Sequence, residues 1–334
     1  MDVDSYRLEH GPQWDRLSQL TSQGGRLTGA EADELVDLYQ RVSTQLSVVR
    51  SSGSDPVLEA RLSALVASAR SAVTGVTLPL WRTVGRFFTA VFPAAVYQAR
   101  RWWIAVALVN VAVAVVIAWR VINTPGLAGS LLDDAEVEQL VNHDFASYYT
   151  DNPAADFAFQ VWLNNARVAA VCLVMGVVIL PVLVVLWSNI ANVGAIAGFM
   201  IAAGRADVFY GLLLPHGLLE LTLIFVAAGA GLRLGWSWIA PGLRTRTQAL
   251  AVEGRAVGAL ALGLAVWLLV SGLVEGFVTP STLPAWARLV IGTVVWVAFL
   301  AYVFTLGRRA ALAGETGDVS DEELQAPVPT EAAV

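Results

Sequence analysis

The chain contains no lysine. All 21 of its basic residues are arginine, set against 27 acidic residues, and the formal net charge is −6. A nucleic-acid partner needs a basic surface to meet its phosphates, so none is expected. Charge of either sign is scarce: 14% of the 334 residues, against a usual share of about 25%. There is one cysteine, Cys172, which allows neither an internal disulfide nor a Cys-based zinc site. It lies in an apolar run and reads as a buried, inert thiol. No HExxH, nucleophile elbow, phosphate loop or dinucleotide fingerprint stands in a suitable context. Neither a cofactor nor an enzymatic activity is therefore expected. The start, from Met1 to His10, is polar and acidic and lacks the basic start and apolar run of a secretory signal. The N-terminal segment is expected to stay in the cytoplasm, with a later helix leading insertion.

What the chain does have is apolar surface. Hydrophobic residues make up 56%, mean hydropathy is +0.62, and there are 12 Trp, a residue that gathers at membrane–water boundaries. This excess rules out a disordered chain and calls for a bilayer. The fold class expected is all-α: a polytopic helical membrane bundle of about six transmembrane helices with a small cytoplasmic N-terminal helical region.

Residues 1–80 are soluble in character. Thr28 and Glu31 have capping-box spacing, and Leu35, Leu38, Val42 and Leu46 recur at helical spacing, so 29–50 reads as an amphipathic helix. The stretch Ser51 to Pro56 breaks it, and Leu58, Leu62, Leu65 and Val66 mark a second helix, giving a helical hairpin. Over 81–101, Trp81, Phe87, Phe88, Phe92 and Tyr97 alternate with Arg82, Arg86, Arg100 and Arg101, which predicts an interfacial amphipathic helix bent at Pro93.

The spanning segments occupy 102–306. A span needs about 20 apolar residues. The expected six run over 102–122, 167–187, 193–210 (shorter and weaker), 212–238, 256–278 and 285–306, with a tight turn from Trp187 to Asn192. Arg100, Arg101, Arg244, Arg246, Arg255, Arg308 and Arg309 then fall on one side, which the positive-inside rule makes cytoplasmic, with both termini inside. The loop 123–166 is extracytoplasmic and acidic, with a short helix within 132–145 and with Phe157, Phe159 and Trp162 resting on the membrane. Its spacing fits no calcium loop. The tail, 307–334, reads as an acidic, disordered cytoplasmic segment.

Ionisable residues inside a membrane are expensive and mark candidate sites. His216 and Glu220 stand at i, i+4 on one face of the fourth helix. At 1.5 Å per residue they lie roughly 6 and 12 Å below its outer end, and Glu275 lies roughly 5 Å below that of the fifth. The three are expected to meet in the outer half of the membrane, joined by Asn164 and Asn165. Such a cluster serves as a hydrogen-bonded helix lock, as a proton or cation relay, or, less well with one His, as a metal site. Pro215 frees a backbone carbonyl beside it. Three GxxxG spacings, Gly194/Gly198, Gly231/Gly235 and Gly272/Gly276, imply a tight bundle or a homo-oligomer. Arg233 is expected to snorkel to the headgroups.

Several of these stretches carry a family resemblance. Pro215-His216-Gly217-Leu218-Leu219-Glu220, running into Gly229 to Gly235, resembles the hallmark of the stage II sporulation protein M family. Asn164-Asn165-Ala166-Arg167, Asn192-Val193-Gly194 and Val274 to Pro280 agree with it, as do Trp14 to Leu17 and Glu34 to Tyr39. The resemblance implies a polytopic membrane protein without catalysis, whose namesake holds peptidoglycan-degrading partners at a septal membrane. On that basis the expected function is a scaffold or recruiter for cell-envelope machinery, with the bilayer and membrane or envelope proteins as partners. The alternative is a proton- or cation-coupled transporter or channel using His216, Glu220 and Glu275.

Overall fold

A computed structural model of the chain describes residues 3–23, 27–52, 55–74, 80–124, 126–149 and 153–317. The acidic tail beyond 317 lies outside the described residues. Of the described residues 89% are helical, and none lies in a strand. It divides into two compact units, Met1–Thr83 and Val84–Val334.

The first unit holds three helices, α1 (Val3–Gln23), α2 (Gly29–Ser52) and α3 (Pro56–Thr74), where periodicity predicts only the last two. Gly11-Pro12 reads as a break, yet α1 runs straight through Pro12. Its apolar face makes the difference: Trp14, Leu17 and Leu20 are fully buried against Leu38, Val42 and Leu46 of α2 and Leu58 and Leu62 of α3. Each such side chain contributes about 1.5–3 kcal/mol, and the three together exceed the roughly 3 kcal/mol that a proline inside a helix costs. The indole N–H of Trp14 donates to Gln45 Oε1 at 2.7 Å, so the polar edge of that core is satisfied. The capping box forms, with the Thr28 amide donating to Glu31 and the Glu31 amide to Thr28 Oγ1. Those bonds hold the Glu31 carboxyl below its ordinary value.

The segment 81–101 departs from the expected surface helix. It divides into α4 (Leu80–Arg86), a π-helical turn over Phe87–Val91, and α5 (Phe92–Gln98). Pro93 sits in the first turn of α5 and so starts a fresh helix rather than bending a long one. Phe92 to Val96 are buried in the membrane unit's core. Phe92 fills the space above Gly263, where a Cβ would meet the ring at 2.0 Å, and Gly307 lies against the Pro93 carbonyl. Alternating aromatic and basic residues read as amphipathic, but Phe87, Phe92 and Tyr97 pack against protein, while Trp81 stays exposed.

Six helices are long and apolar enough to cross a membrane: Arg100–Asn123, Ala154–Val178, Leu180–Ala202, Ala206–Ile239, Arg246–Val278 and Ala285–Leu312. Their main bodies are α6 (Arg100–Asn123), α10 (Ala154–Val174), α11 (Leu180–Ala202), α12 (Ala206–Ile239), α13 (Arg246–Leu273) and α14 (Ala285–Tyr302). Between α6 and α10 the chain forms α7 (Leu127–Leu131), α8 (Asp134–Gln139) and α9 (Phe145–Ser147), and α15 (Arg308–Leu312) closes the sixth span. Helices are what a bilayer permits, since every backbone donor finds its acceptor within the segment. The fourth span is central: 61% of its most apolar window is buried, against 17% for the first and the sixth. It touches α6, α10, α11, α13 and α14.

The count of six agrees with hydropathy, but two boundaries move. The second span begins at Ala154 instead of 167, and the third covers Leu180–Ala202 as a full-length helix instead of a weak one at 193–210. The turn between them is therefore at Met175–Ile179, not at Trp187–Asn192. That turn is wholly apolar, which hides it from a hydropathy reading. Ile179 adopts φ 65°, a left-handed conformation that β-branched residues rarely take, and Pro181 starts α11 immediately after it. The connecting loop shortens accordingly, and Phe157 and Trp162 belong to the second span. Phe157 is buried, and the Trp162 indole donates to the Ala265 carbonyl of α13.

The glycine spacings work inside one chain. Gly194 and Gly198 meet Ala114, Ile117 and Val121 of α6, and Gly272 and Gly276 meet Ala158 and Ala154 of α10. A Cβ on Gly231 would lie 2.0 Å from the Cys172 carbonyl, and one on Gly235 would lie 2.3 Å from that of Gly176. All three pairs therefore bind helices of the same bundle.

Candidate functional site

His216 comes from α12, ten residues inside its start, and Glu275 from the π-helical turn Val274–Val278 that ends the fifth span. The π-turn rotates the fifth span's last residues, so that Glu275 and Thr279 both face α12. His216 Nε2 lies 3.7 Å from Glu275 Oε1, and its Nδ1 lies 3.2 Å from Thr279 Oγ1. His216, Glu275 and Thr279 are all buried. The Ser271 hydroxyl donates to the His216 carbonyl at 3.4 Å. Each ring nitrogen of His216 therefore faces one oxygen of the fifth span.

Glu220, one turn below His216, reaches the Glu275 carboxyl and the Asn165 side chain. The second oxygen of each carboxyl, Oε2, is sealed from solvent with no partner. Spans two, four and five are thus joined at one point.

The expected cluster assembles in part. His216, Glu220, Glu275 and Asn165 come together. Asn164 points outward and is exposed, with only Asn165 Oδ1 in reach at 3.5 Å. Asn192 is exposed on α11, away from the cluster. Arg233 does not snorkel freely: it pairs with Glu253 of α13 at 2.8 Å. Pro215 serves packing, because its carbonyl lies where a Cβ on Gly292 of α14 would stand. Among the described residues, no group of three His, Cys, Asp or Glu side chains is arranged to hold a metal ion.

Three contributors were not picked out from the sequence. Thr279 stands at i+4 from Glu275, and that shared face was its signal. Arg288 of α14 donates to the Thr279 carbonyl, and its buried Nε has no partner. Tyr149, from the loop after α9, covers the site: its ring centroid lies 5.6 Å from that of His216, and it packs with Tyr148 and Phe157. No sequence spacing places a loop tyrosine over a helix 67 positions away.

Burial first, then the facing Glu275 carboxyl, raise the Tyr149 phenol well above its ordinary value. A phenol raised on folding contributes stability that is complete below its unfolded value, about 10, and is lost as pH rises towards the folded one. Unfolding in detergent should therefore become easier above about pH 10. Tyr149→Phe should lose less stability over that range. Identical pH profiles for the two proteins would show that the tyrosine is not held over the carboxyls.

Comparison with known families finds a match in each unit. Residues 4–75 match a domain of unknown function, DUF8413. Neither the curated proteins nor the solved structures yielded a match to the chain. Residues 105–280 match Stage II sporulation protein M. That stretch, more than half of the chain, runs from the first span to just past Thr279 and contains His216, Glu220 and Glu275. The chain is therefore a multi-pass membrane protein that belongs to the stage II sporulation protein M family.

Proposed function

We propose that this protein is a non-enzymatic scaffold or recruiter for cell-envelope, peptidoglycan-remodelling machinery, and that the His216–Glu220–Glu275 cluster is the lock that keeps its bundle rigid. The observation that carries this reading is that the cluster leads nowhere. From Leu221 to Leu232, α12 holds only Leu, Thr, Ile, Phe, Val, Ala and Gly, a stretch of roughly 20 Å. The fifth span carries no ionisable residue between Arg255 and Glu275. A relay needs successive titratable groups or water, and along α12 and the fifth span the next ones lie at the far end, in the Arg233–Glu253 pair. The family is not a known enzyme family, which accords with this reading.

The second reading, a proton- or cation-coupled transporter, is favoured by the two sealed, unpartnered carboxyl oxygens, since ionisable groups buried in a membrane are costly and often mark ion or proton paths. It has lost one support, because the third span is full-length. Proteoliposomes carrying the wild type should show no proton flux above protein-free vesicles at any pH from 5 to 8. Flux that Glu220→Gln abolishes would replace the scaffold with a transporter. Cross-linking in native membranes should recover envelope proteins, and failure to recover any would count against recruitment.

The placement proposed is the bacterial cytoplasmic membrane with both termini cytoplasmic, supported by Arg100, Arg101, Arg244, Arg246, Arg308 and Arg309 at one end of the spans. An impermeant maleimide on intact cells should label a cysteine placed at Glu138 and spare one at Arg309. The reverse pattern would invert the topology.

A further inference from the structure

The second and third spans, Ala154–Val178 and Leu180–Ala202, carry polar side chains at their midpoints. Arg167 lies about 20 Å along the helix from Ala154 and about 16 Å from Val178. It is exposed, on the same outward face as Asn164 one turn earlier. No described residue pairs with it. On α11, joined to α10 by the tight turn at Ile179 and touching it, Ser188, Asn189 and Asn192 are also exposed. Asn192 stands about 18 Å from Leu180 and about 15 Å from Ala202. The two outward faces therefore present one guanidinium, three amides and a hydroxyl at a common depth, the middle of the spans.

Hydrocarbon cannot satisfy such a face. A bilayer core is about 30 Å thick, so both boundaries lie farther from Arg167 than an arginine reaches by snorkelling. Intramembrane arginines otherwise face a partner or a water-filled cavity. The Asn189 amide turns back to the Val185 carbonyl, while Arg167 has no equivalent refuge.

We infer that this face of the second and third spans is the docking site for a transmembrane helix of another protein that carries an aspartate or glutamate near its midpoint. The charge chooses the occupant. A second copy, inserted with the same orientation, would bring an isologous face with its own arginine at the same depth. No carboxylate of this chain lies exposed at mid-span among the described residues to answer it. A carboxylate on a different helix pairs with the guanidinium in two-pronged geometry, and the flanking Asn and Ser side chains take its remaining hydrogen bonds. This inference rests on the recruiter reading and supplies the chemistry of what is recruited.

The test uses the full chain in liposomes and a synthetic leucine–alanine transmembrane helix with a single central Asp, or with Asn or Leu in its place. Energy transfer should report the Asp helix binding about tenfold tighter than the Leu helix. Arg167→Leu should erase that difference while unfolding at the wild-type temperature, because the residue supports no internal contact. Asp and Leu helices binding within about twofold of each other would overturn the inference. So would labelled copies of this chain associating with each other through Arg167. In native membranes, photo-cross-linkers at Leu163 and at Leu131 separate the two levels. A membrane segment with a central acidic residue captured at Leu163 supports docking here. Envelope proteins captured only at Leu131 overturn the docking site and leave recruitment standing, and capture at neither position overturns both.

Discussion

Gly231→Leu should cost this protein more than any change at its charged residues. The second and fourth spans touch backbone to backbone at this point, with a Cβ on Gly231 falling 2.0 Å from the Cys172 carbonyl and 3.3 Å from Gly176 Cα. Neither neighbour is a flexible side-chain tip that can swing aside. The whole turn at Met175–Ile179 would have to lift from α12, taking its Trp238-to-Val177 hydrogen bond with it. Overpacking a tight core costs about 1–3 kcal/mol, and a backbone obstacle belongs at or beyond the top of that range. The variant should unfold at markedly lower temperature in detergent, or fail to accumulate in the membrane. Gly85→Leu, where a Cβ would meet nothing within 4 Å, is the control and should behave as wild type.

The second large effect is expected at the lock. His216→Ala leaves Glu275 Oε1 facing an empty space under Tyr149 and leaves the Thr279 hydroxyl only its bond to the Val274 carbonyl, so it combines a cavity with a buried carboxyl oxygen that loses its facing group. Together these should cost about 3 kcal/mol of unfolding free energy in detergent. Glu275→Gln should be milder, within about 1 kcal/mol of wild type. Its amide stands beside Glu220 without a second charge, and its carbonyl oxygen still faces His216. Glu275→Leu removes both partners and should fall near His216→Ala. Stability that rises in any of these variants would mean that the groups are retained at a cost for some activity.

How much of this was readable in advance differs by element. The number of spans followed from apolar runs of sufficient length, because a bilayer leaves the chain no other folded option. Their boundaries failed where the turn itself is apolar: Gly176 to Leu180 carries no polar residue, while Asn164, Arg167 and Asn192 interrupt helices instead of ending them. The α5 segment misled for a related reason. Aromatic and basic residues mix there as they would at a headgroup layer, yet Phe92 inserts into the notch at Gly263, a match of two distant positions. Periodicity on α2 and α3 was sufficient for those helices and silent on α1, where Gly11-Pro12 resembles a stop.

The site was readable to the extent that it is local. His216 and Glu220 share a helix face by spacing alone, and a carboxyl near the end of the fifth span was a reasonable third member. That Asn165 joins them while Asn164 turns outward depends on the rotation of α10, which follows from its contacts with α12 and α13. The tyrosine cover depends on where a loop folds back. Each GxxxG pair announced a close contact, but only packing decides which helix it meets.

A double-mutant cycle between His216 and Glu275 tests the central claim most directly. Unfolding in detergent would be measured for the wild type, His216→Ala, Glu275→Leu and the double variant. A lock predicts that the second loss is small once the first has occurred, with a coupling energy of about 1 kcal/mol or more. Additive losses, with no coupling between the two positions, would mean that the cluster does not fasten these helices together, and would contradict the account.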